Sequence, residues 1–288
     1  MHADLHLHTH FSDGTYSPEE LAAHAVRYRL RAVALTDHDT VEGCARMAVA
    51  CQQLGLEFIP AAELTTELEG QELHILGYFL DPENSLLLEQ LARFQEVRRQ
   101  RIHEMVGRLN SMKIPLQVEA VMTLANCRAP GRPHIARALV QGGWCSSLDE
   151  AFERFLKKGK PAWAPKFKIS APDAIGLIHQ AGGLAALAHP GINHSDELIP
   201  ELAAAGMDGL ECFHSKHSTS NTQRYLEIAE QNQLLVTGGS DCHGMSKGEP
   251  LIGSIRIPYG CVERMRERVE QRALERSLLL ARTSPPAS

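Results

Sequence analysis

The chain has 288 residues, 43% hydrophobic and 22% charged, with 15 His, seven Cys and a formal net charge of −6 with His neutral. That length suits one large domain or one domain with a small insert, and the apolar content argues against disorder. No apolar run approaches the roughly 18–20 residues that a bilayer span needs, and the start Met1-His2-Ala3-Asp4 lacks the regions of a signal peptide. The cysteines are scattered, odd in number and form no Cys-x-x-Cys pair, so neither a disulfide framework nor a zinc ribbon is indicated. A cytoplasmic protein with no membrane contact and no obligate protein partner is expected.

In chain order, short apolar runs predict strands over 3–7, 32–35, 57–60, 73–79, 184–188, 209–213 and 234–237. Their continuous apolar character suits buried parallel strands. Ser17-Pro18-Glu19-Glu20 is a capping box with Pro at the first helical position, and predicts a helix to about residue 30. Ser170 to Asp173 repeats that signal before a second helix. Strand–helix alternation implies an α/β fold, either a barrel or a doubly wound sheet.

Residues 84–168 break the alternation and read as wholly helical, with segments over 86–110, 133–141 and 148–156. They hold 15 of the chain's 29 basic residues and 7 of its 35 acidic ones, a net of +8. The remainder is left with 14 basic and 28 acidic residues, a net of −14. A basic helical insert, 84–168, is expected on an acidic α/β body formed by 1–83 and 169–288. An insert of that sign suits an anionic substrate, although Lys/Arg-rich helix surfaces are common without one. The last residues, 282–288, are expected to be irregular.

The histidines cluster after the apolar runs. In a strand, His6 and His8 share one face and can hold one metal ion between them. His38 follows the second run, Glu63 the third, His189 the fifth, and Asp241 and His243 the seventh; His74 lies within the fourth. In parallel α/β folds, sites gather at the carboxyl ends of strands drawn from several parts of the chain. Imidazole and carboxylate without thiolate suit manganese, iron or catalytic zinc. Cys242 lies between two candidate ligands, but alternation turns it away from both. The donors are too many for one ion. Two or three divalent ions about 3.5–4 Å apart, bridged by a carboxylate such as Glu63, are more economical.

In this order, His6-x-His8, Asp13, Thr36-Asp37-His38, Glu63, His74, His189-Pro190 and Asp241-x-His243 resemble the PHP (polymerase and histidinol phosphatase) domain family, over about residues 1–80 and 170–245. The resemblance implies a distorted (β/α)7 barrel, a trinuclear metal centre and phosphoester hydrolysis. It implies one ion on His6, His8, Glu63 and Asp241, a second on Asp13, His38 and His243, and a third on Glu63, His74 and His189. His10-Phe11-Ser12-Asp13-Gly14, the insert, and Gly131-Arg132-Pro133-His134-Ile135-Ala136 are similar to a bacterial branch that dephosphorylates nucleoside 3′,5′-bisphosphates and trims short RNA from its 5′ end.

The expected reaction is hydrolysis of the 3′-phosphate by a hydroxide bridging the ions, manganese first among the candidate metals. Arg132 offers a fork for phosphate, and His134 a hydrogen bond or a proton; Arg132-Pro133 also reads as a plain helix start. Lys157 and Lys160 are candidate contacts to a second phosphate, and His194 a candidate leaving-group acid. His214 and His217 are candidates to line the cleft. Three alternatives stand beside this reading: a 5′–3′ exoribonuclease on short RNA, a histidinol-phosphate or sugar-phosphate phosphatase, and a non-catalytic metal-binding module. Protein purified without chelator is expected to carry well over one equivalent of divalent metal. Elemental analysis giving well under one equivalent would remove the basis of the site.

Overall fold

The computed structural model describes residues 1–166, 168–194 and 196–283. Among the described residues, nine strands form one sheet: β1 (His2–Asp4), β2 (Ala32–Leu35), β3 (Glu57–Leu68), β4 (Gln71–Tyr78), β5 (Ile169–Ser170), β6 (Leu184–Leu187), β7 (Gly209–His214), β8 (Leu235–Gly239) and β9 (Ile257–Pro258). Their spatial order is β8-β7-β6-β4-β3-β2-β1-β9, with β5 beside β3. The sheet curls until its ends meet. Leu5 N donates to Gly238 O at 3.1 Å, and Leu7 forms a parallel bridge with Cys242. The result is a mixed α/β fold around a nearly closed barrel. No helix among the described residues is long and apolar enough to cross a membrane.

Alternation explains the two layers. In β2, Val33 and Leu35 pack against the helices Pro18–Arg27 and Cys44–Leu54, while Ala32 and Ala34 face the interior with Ile59, Ala61, Leu76, Tyr78 and Ala186. Small side chains suit the narrow lumen, which Ile257, Val262 and Met265 close at one end. The first helix starts as its capping box predicts: Glu20 N donates to Ser17 Oγ at 3.2 Å and Ser17 N to Glu20 Oε2 at 2.8 Å. It ends at Arg27, because Arg29 turns left-handed at φ 58°.

Three expectations need correction. β4 is antiparallel to both β3 and β6, not parallel. Leu68 pairs with Gln71, so Glu69 and Gly70 form a two-residue turn, both at positive φ (50° and 77°). That geometry suits a tight hairpin, which lengthens β3 to Leu68. β1 stops at Asp4; residues 5–8 are held instead by isolated bonds, His8 N to Cys242 O at 2.9 Å and Asp241 N to His6 O at 2.9 Å. The insert is not wholly helical. Its helices are Ser85–Ser111, Val118–Ala125, Arg132–Gln141 and Leu148–Ala151, the last running into a π-helix at Phe152–Leu156. The described residues from 157 to 168 are irregular, broken by Gly159 (φ 82°), Pro161 and Pro165.

The helix Ser85–Ser111 joins two cores. Leu87, Leu91 and Phe94 pack on the barrel flank with Leu64, Leu73 and Ile175. Ile102, Met105, Val106 and Leu109 belong to a separate core with Val121, Ile135, Leu139 and Phe155. The helix Gly260–Thr283 carries through residues 282 and 283, expected to be irregular; 284–288 lie outside the described residues.

The barrel seam is tight at Gly239, where a Cβ would stand 2.3 Å from His6 N and 2.5 Å from His6 Cβ. Gly239→Ala is therefore expected to lose about 1–3 kcal/mol of stability and to displace His6. Gly176→Ala, in open space on the helix Ala171–Gln180, is expected to gain roughly 0.5–1 kcal/mol. Urea unfolding of the two variants checks the contrast.

Candidate metal centre

Alternation continues from the barrel core into the site. Ile59 and Ala61 face the lumen, and Glu63, two residues on, faces the cluster at the strand ends. In β4 the chain runs the other way: Tyr78 and Leu76 face the lumen and His74 arrives at the same end. His189 and Asp241 follow β6 and β8 directly, and both adopt left-handed backbone, at φ 33° and 54°. Such conformations cost about 1–3 kcal/mol in a non-glycine residue and persist where surrounding structure imposes them.

Glu63 is the centre, 1% exposed. Its Oε2 lies 3.1 Å from His38 Nδ1, 3.3 Å from His6 Nε2 and 3.4 Å from His8 Nε2. Its Oε1 lies 2.6 Å from His74 Nδ1 and 3.0 Å from His189 Nε2. Asp241 Oδ1 lies 3.1 Å from His8 Nε2 and 3.5 Å from His6 Nε2. Asp13 faces His243 Nε2 at 3.2 Å and His38 Nε2 at 3.9 Å. The structure thus brings together all nine residues singled out as ligands. His38 spans two sets, with Nδ1 toward Glu63 and Nε2 toward Asp13.

The donor chemistry fits divalent cations. Both ring nitrogens of His8 and Nδ1 of His38 are buried without a hydrogen-bond partner among the described residues. Burial, reinforced by the neighbouring His243, lowers the pKa of His8. Burial pushes His38 down to about 3 against the pull of Glu63 and Asp13. Both rings are therefore neutral near pH 7 and keep lone pairs for a cation. Burial raises the carboxyls of Glu63, Asp13 and Asp241, but the surrounding imidazoles outweigh it and hold all three well below the usual range. For His6, burial opposes protonation, yet Glu211, Glu63 and Asp241 together raise it. The lone pairs of His8 and His38, interleaved with ionised carboxylates and buried together, form a set that cations complete.

Buried carboxylates brace the loops that carry these side chains. Asp37 accepts from Thr9 N at 2.7 Å, Thr9 Oγ1 at 2.5 Å and Ser12 Oγ at 2.6 Å, and so fixes the turn between His8 and Asp13. Burial pushes its carboxyl up to about 7. Asp39, at φ 51°, accepts from Thr65 N at 3.0 Å and from Arg98 Nε at 2.7 Å, tying the insert to the strand of Glu63. Cys242 is fully buried in the core beneath, as alternation predicts.

A cavity of about 420 Å³ opens over the centre, lined by Asp13, His38, Glu63, Glu72, His74, Arg132, His189, Ile192, Asn193, Asp241 and His243. A larger cleft of about 700 Å³ lies on the barrel flank between the helices Cys44–Leu54 and Ser85–Ser111; it is mainly apolar and carries none of the candidate ligands. Arg132 reaches the site cavity, half-buried. His134 does not line it. That ring is 1% exposed, accepts from Gly131 N at 3.0 Å at Nδ1, and is pushed by burial down to about 4, so it holds the start of the Arg132–Gln141 helix and is not in the imidazolium form that a general acid needs near pH 7. His194 is exposed after the short helix Pro190–Asn193 and lines no part of the cavity. Lys157 is exposed and paired with Glu153, and Lys160 is exposed.

Other residues stand where those lysines were expected. Glu72, Ile192 and Asn193 line the cavity. Arg98 and Arg101 lie close enough to Arg132 to perturb it or be perturbed by it, and Lys166 stands beside Arg98 and Arg101: burial first, then neighbouring guanidinium charge, lowers Arg101 to about 10 and Lys166 to about 7. Glu211 lies under His6. A single Glu in the apolar run Gly209-Leu210-Glu211-Cys212-Phe213 was a legible signal, since a buried strand rarely carries a carboxylate without a partner. Lys166 sits in an irregular stretch and gave none.

A profile of the PHP domain matches residues 4–116. The 5′–3′ exoribonuclease Rnm of Escherichia coli (strain K12) is 36% identical over 247 residues, covering 83% of this chain and 84% of that one. A 3′,5′-nucleoside bisphosphate phosphatase of Chromobacterium violaceum is 31% identical over 256 residues, covering 87% of this chain and 90% of that one. Among solved structures, a candidate metal-dependent phosphoesterase from Bifidobacterium adolescentis superimposes with a TM-score of 0.85 at 33% identity, over 91% of this chain and 94% of that one.

Ions that bind only the folded chain stabilise it by about 2.7 kcal/mol at a hundredfold excess over Kd. Manganese is accordingly expected to raise the Tm by roughly 5–10 °C over chelated protein. Asp241→Ala and His6→Ala should shrink that shift and abolish turnover; an undiminished shift in both would place the metal elsewhere.

Proposed function

Because the chain belongs to the PHP domain family and is a metal-dependent phosphoesterase, we propose that it hydrolyses the 3′-phosphate of nucleoside 3′,5′-bisphosphates. The observation that carries this reading is the polarity of the cavity. Its floor is the carboxylate–imidazole centre, and its wall is Arg132, backed by Arg98, Arg101 and Lys166. A ligand bearing two separated phosphates fits between them, one over the floor and one on the wall. A nucleoside 3′,5′-bisphosphate carries about four negative charges, which suits that excess of buried cation.

Residues 84–168 act in this reading as a cap. Arg132 binds phosphate through its fork. Arg137 donates to the carbonyl of Asp13, and Arg98 to Asp39, so the cap is tied to the two sides of the centre. Asn193 and Ile192 form the opposite lip. Asp13, Glu63, Asp241 and the six histidines would hold two or three divalent ions, manganese first, which supply Lewis-acid activation of phosphate and of water. The water oxygen ends on phosphorus, the bond between phosphorus and the ribose 3′ oxygen breaks, and that oxygen takes up a proton.

A second reading draws support from the name of the Escherichia coli relative. A 5′–3′ exoribonuclease breaks the same bond between phosphorus and a ribose 3′ oxygen, with the phosphate continuing into RNA. The two substrates differ in what lies beyond the reacting phosphorus, and not in the bond. Phosphate release and shortening of a 5′-phosphorylated, labelled oligonucleotide, both assayed with manganese, separate them. Adenosine 3′,5′-bisphosphate is expected to release phosphate faster than histidinol phosphate or sugar phosphates; the reverse order would overturn the assignment. Arg132→Ala should keep its metal and raise KM by at least about 10–100-fold, since each charge-assisted hydrogen bond of the fork contributes roughly 1.5–3 kcal/mol. If it instead loses metal, Arg132 supports the centre and does not bind substrate.

A further inference from the structure

β7 supplies none of the nine candidate ligands, yet it carries two polar side chains, Glu211 and His214, into the site. Register explains how. Glu211 pairs with Thr237 and Phe213 with Gly238, so β7 advances two residues while β8 advances one, a bulge at Cys212. Strict alternation would turn Glu211 and His214 to opposite faces. The bulge brings both inward, at 0% and 1% exposure.

Each makes a specific contact. Glu211 Oε1 accepts from His6 Nδ1 at 2.9 Å, and its Oε2 accepts from His189 N at 2.7 Å. A carboxylate only accepts, so the proton between Glu211 and His6 sits on Nδ1, and His6 Nε2 faces Glu63 and Asp241. His214 Nδ1 accepts from Lys216 N at 3.0 Å, which puts its proton on Nε2, 3.5 Å from Asp241 Oδ2. Asp241 is left with Oδ1 toward His8 and His6. Beyond the strand, His217 Nε2 accepts from Gly191 N at 3.2 Å and its Nδ1 donates to Cys212 O at 3.0 Å, bracing the loop after His189.

We propose that β7 is the positioning strand of the metal centre: Glu211 fixes the tautomer of His6 and the backbone of His189, and His214 selects the carboxylate oxygen that Asp241 presents. The inference rests on the metal-centre reading above. His6, Glu211 and His214 stand close enough to hold an ion themselves. Both Glu211 oxygens and His214 Nδ1 are already taken as acceptors, however, and His214 Nε2 turns its proton toward Asp241 Oδ2 at 3.5 Å, an ion-pair contact without a completed hydrogen bond, which leaves these two residues as supports. Carboxylates that orient a ligating histidine typically change metal affinity 10–100-fold when replaced.

E211Q tests the contact without changing shape. An amide has one acceptor for two donors, so either His6 or His189 loses its bond. The measurements are zinc affinity and stoichiometry by chelator competition, with the unfolding temperature of the chelated protein as a control. Expected are a 10–100-fold weaker affinity for at least one ion and a chelated-state unfolding temperature near that of the wild type. H214N keeps the acceptor for Lys216 N and removes the donor to Asp241; its affinity should fall in the same sense. Should E211Q not fold, H214N decides. Wild-type affinity in the folded variants overturns the positioning role while leaving the metal centre intact. Failure of the wild type itself to take up zinc overturns both.

Discussion

The site depends on one buried carboxylate. Glu63 meets five imidazoles, three at Oε2 and two at Oε1. Taking a carboxylate out of water costs several kcal/mol unless opposite charge returns it. Imidazolium could return it, but burial keeps His8 and His38 neutral, and five protonated rings around one carboxylate would repel one another. With Asp13 and Asp241 also ionised, the protein leaves a deficit of positive charge at a dry point rich in lone pairs. Divalent cations would meet that deficit. Glu63, with an oxygen turned to each side, is the residue that joins the two groups of imidazoles into one cluster.

The barrel is distorted in the way this carboxylate requires. A regular parallel strand in the place of β4 would need a crossover before it and would enter from the far end. The hairpin at Glu69-Gly70 brings the chain straight back, so His74 stands opposite Thr65, one register step from Glu63 on the inner face. The left-handed turns at His189 and Asp241 have the same effect at β6 and β8: they bend the chain inward just past the strand and swing the ligand over the lumen. These strained residues are over-determined from outside. Asp241 N is bonded to His6 O, and His189 N to Glu211. The strain at the ligands is thus balanced by bonds to the strands on either side.

Much of this was legible. Periodicity gave all the long strands of the barrel, because a buried parallel strand is a short apolar run with turn residues at its ends. The order of His6, His8, His38, Glu63, His74, His189, Asp241 and His243 gave the cluster, because each follows or interrupts such a run. Direction was not legible. β4 reads as apolar whichever way it points, and only Glu69-Gly70 marks the hairpin. The bulge at Cys212 was equally hidden, since an extra residue in a strand appears only when its partner is known; His214 was a candidate for the cleft by its place after the run, but its inward turn together with Glu211 was not legible. β5 and β9, two residues each, lie below the reach of any periodic pattern.

The division of charge is the point where the structure sharpens the sequence most. A net of +8 over 84–168 suggests a uniformly basic cap, and that is not its form. Arg93, Arg99, Arg108, Arg154 and Lys157 are each satisfied by a glutamate three or four residues away on the same exposed helix surface. Pairs of this kind are worth a few tenths of a kcal/mol and are screened by salt. Arg101 and Arg132 differ: among the described residues neither has a carboxylate within ion-pair distance, and Arg101 spends its Nε on the carbonyl of Ala164. Lys166 and Arg98 share Asp39, so two cations divide one anion. Arg98, Arg101 and Lys166 are thus largely withdrawn from water beside Arg132, the one of the four that lines the cavity. Because a charge withdrawn from water acts over a few ångströms with far less loss than an exposed one, the field at the cavity depends on these four side chains more than on the total of +8.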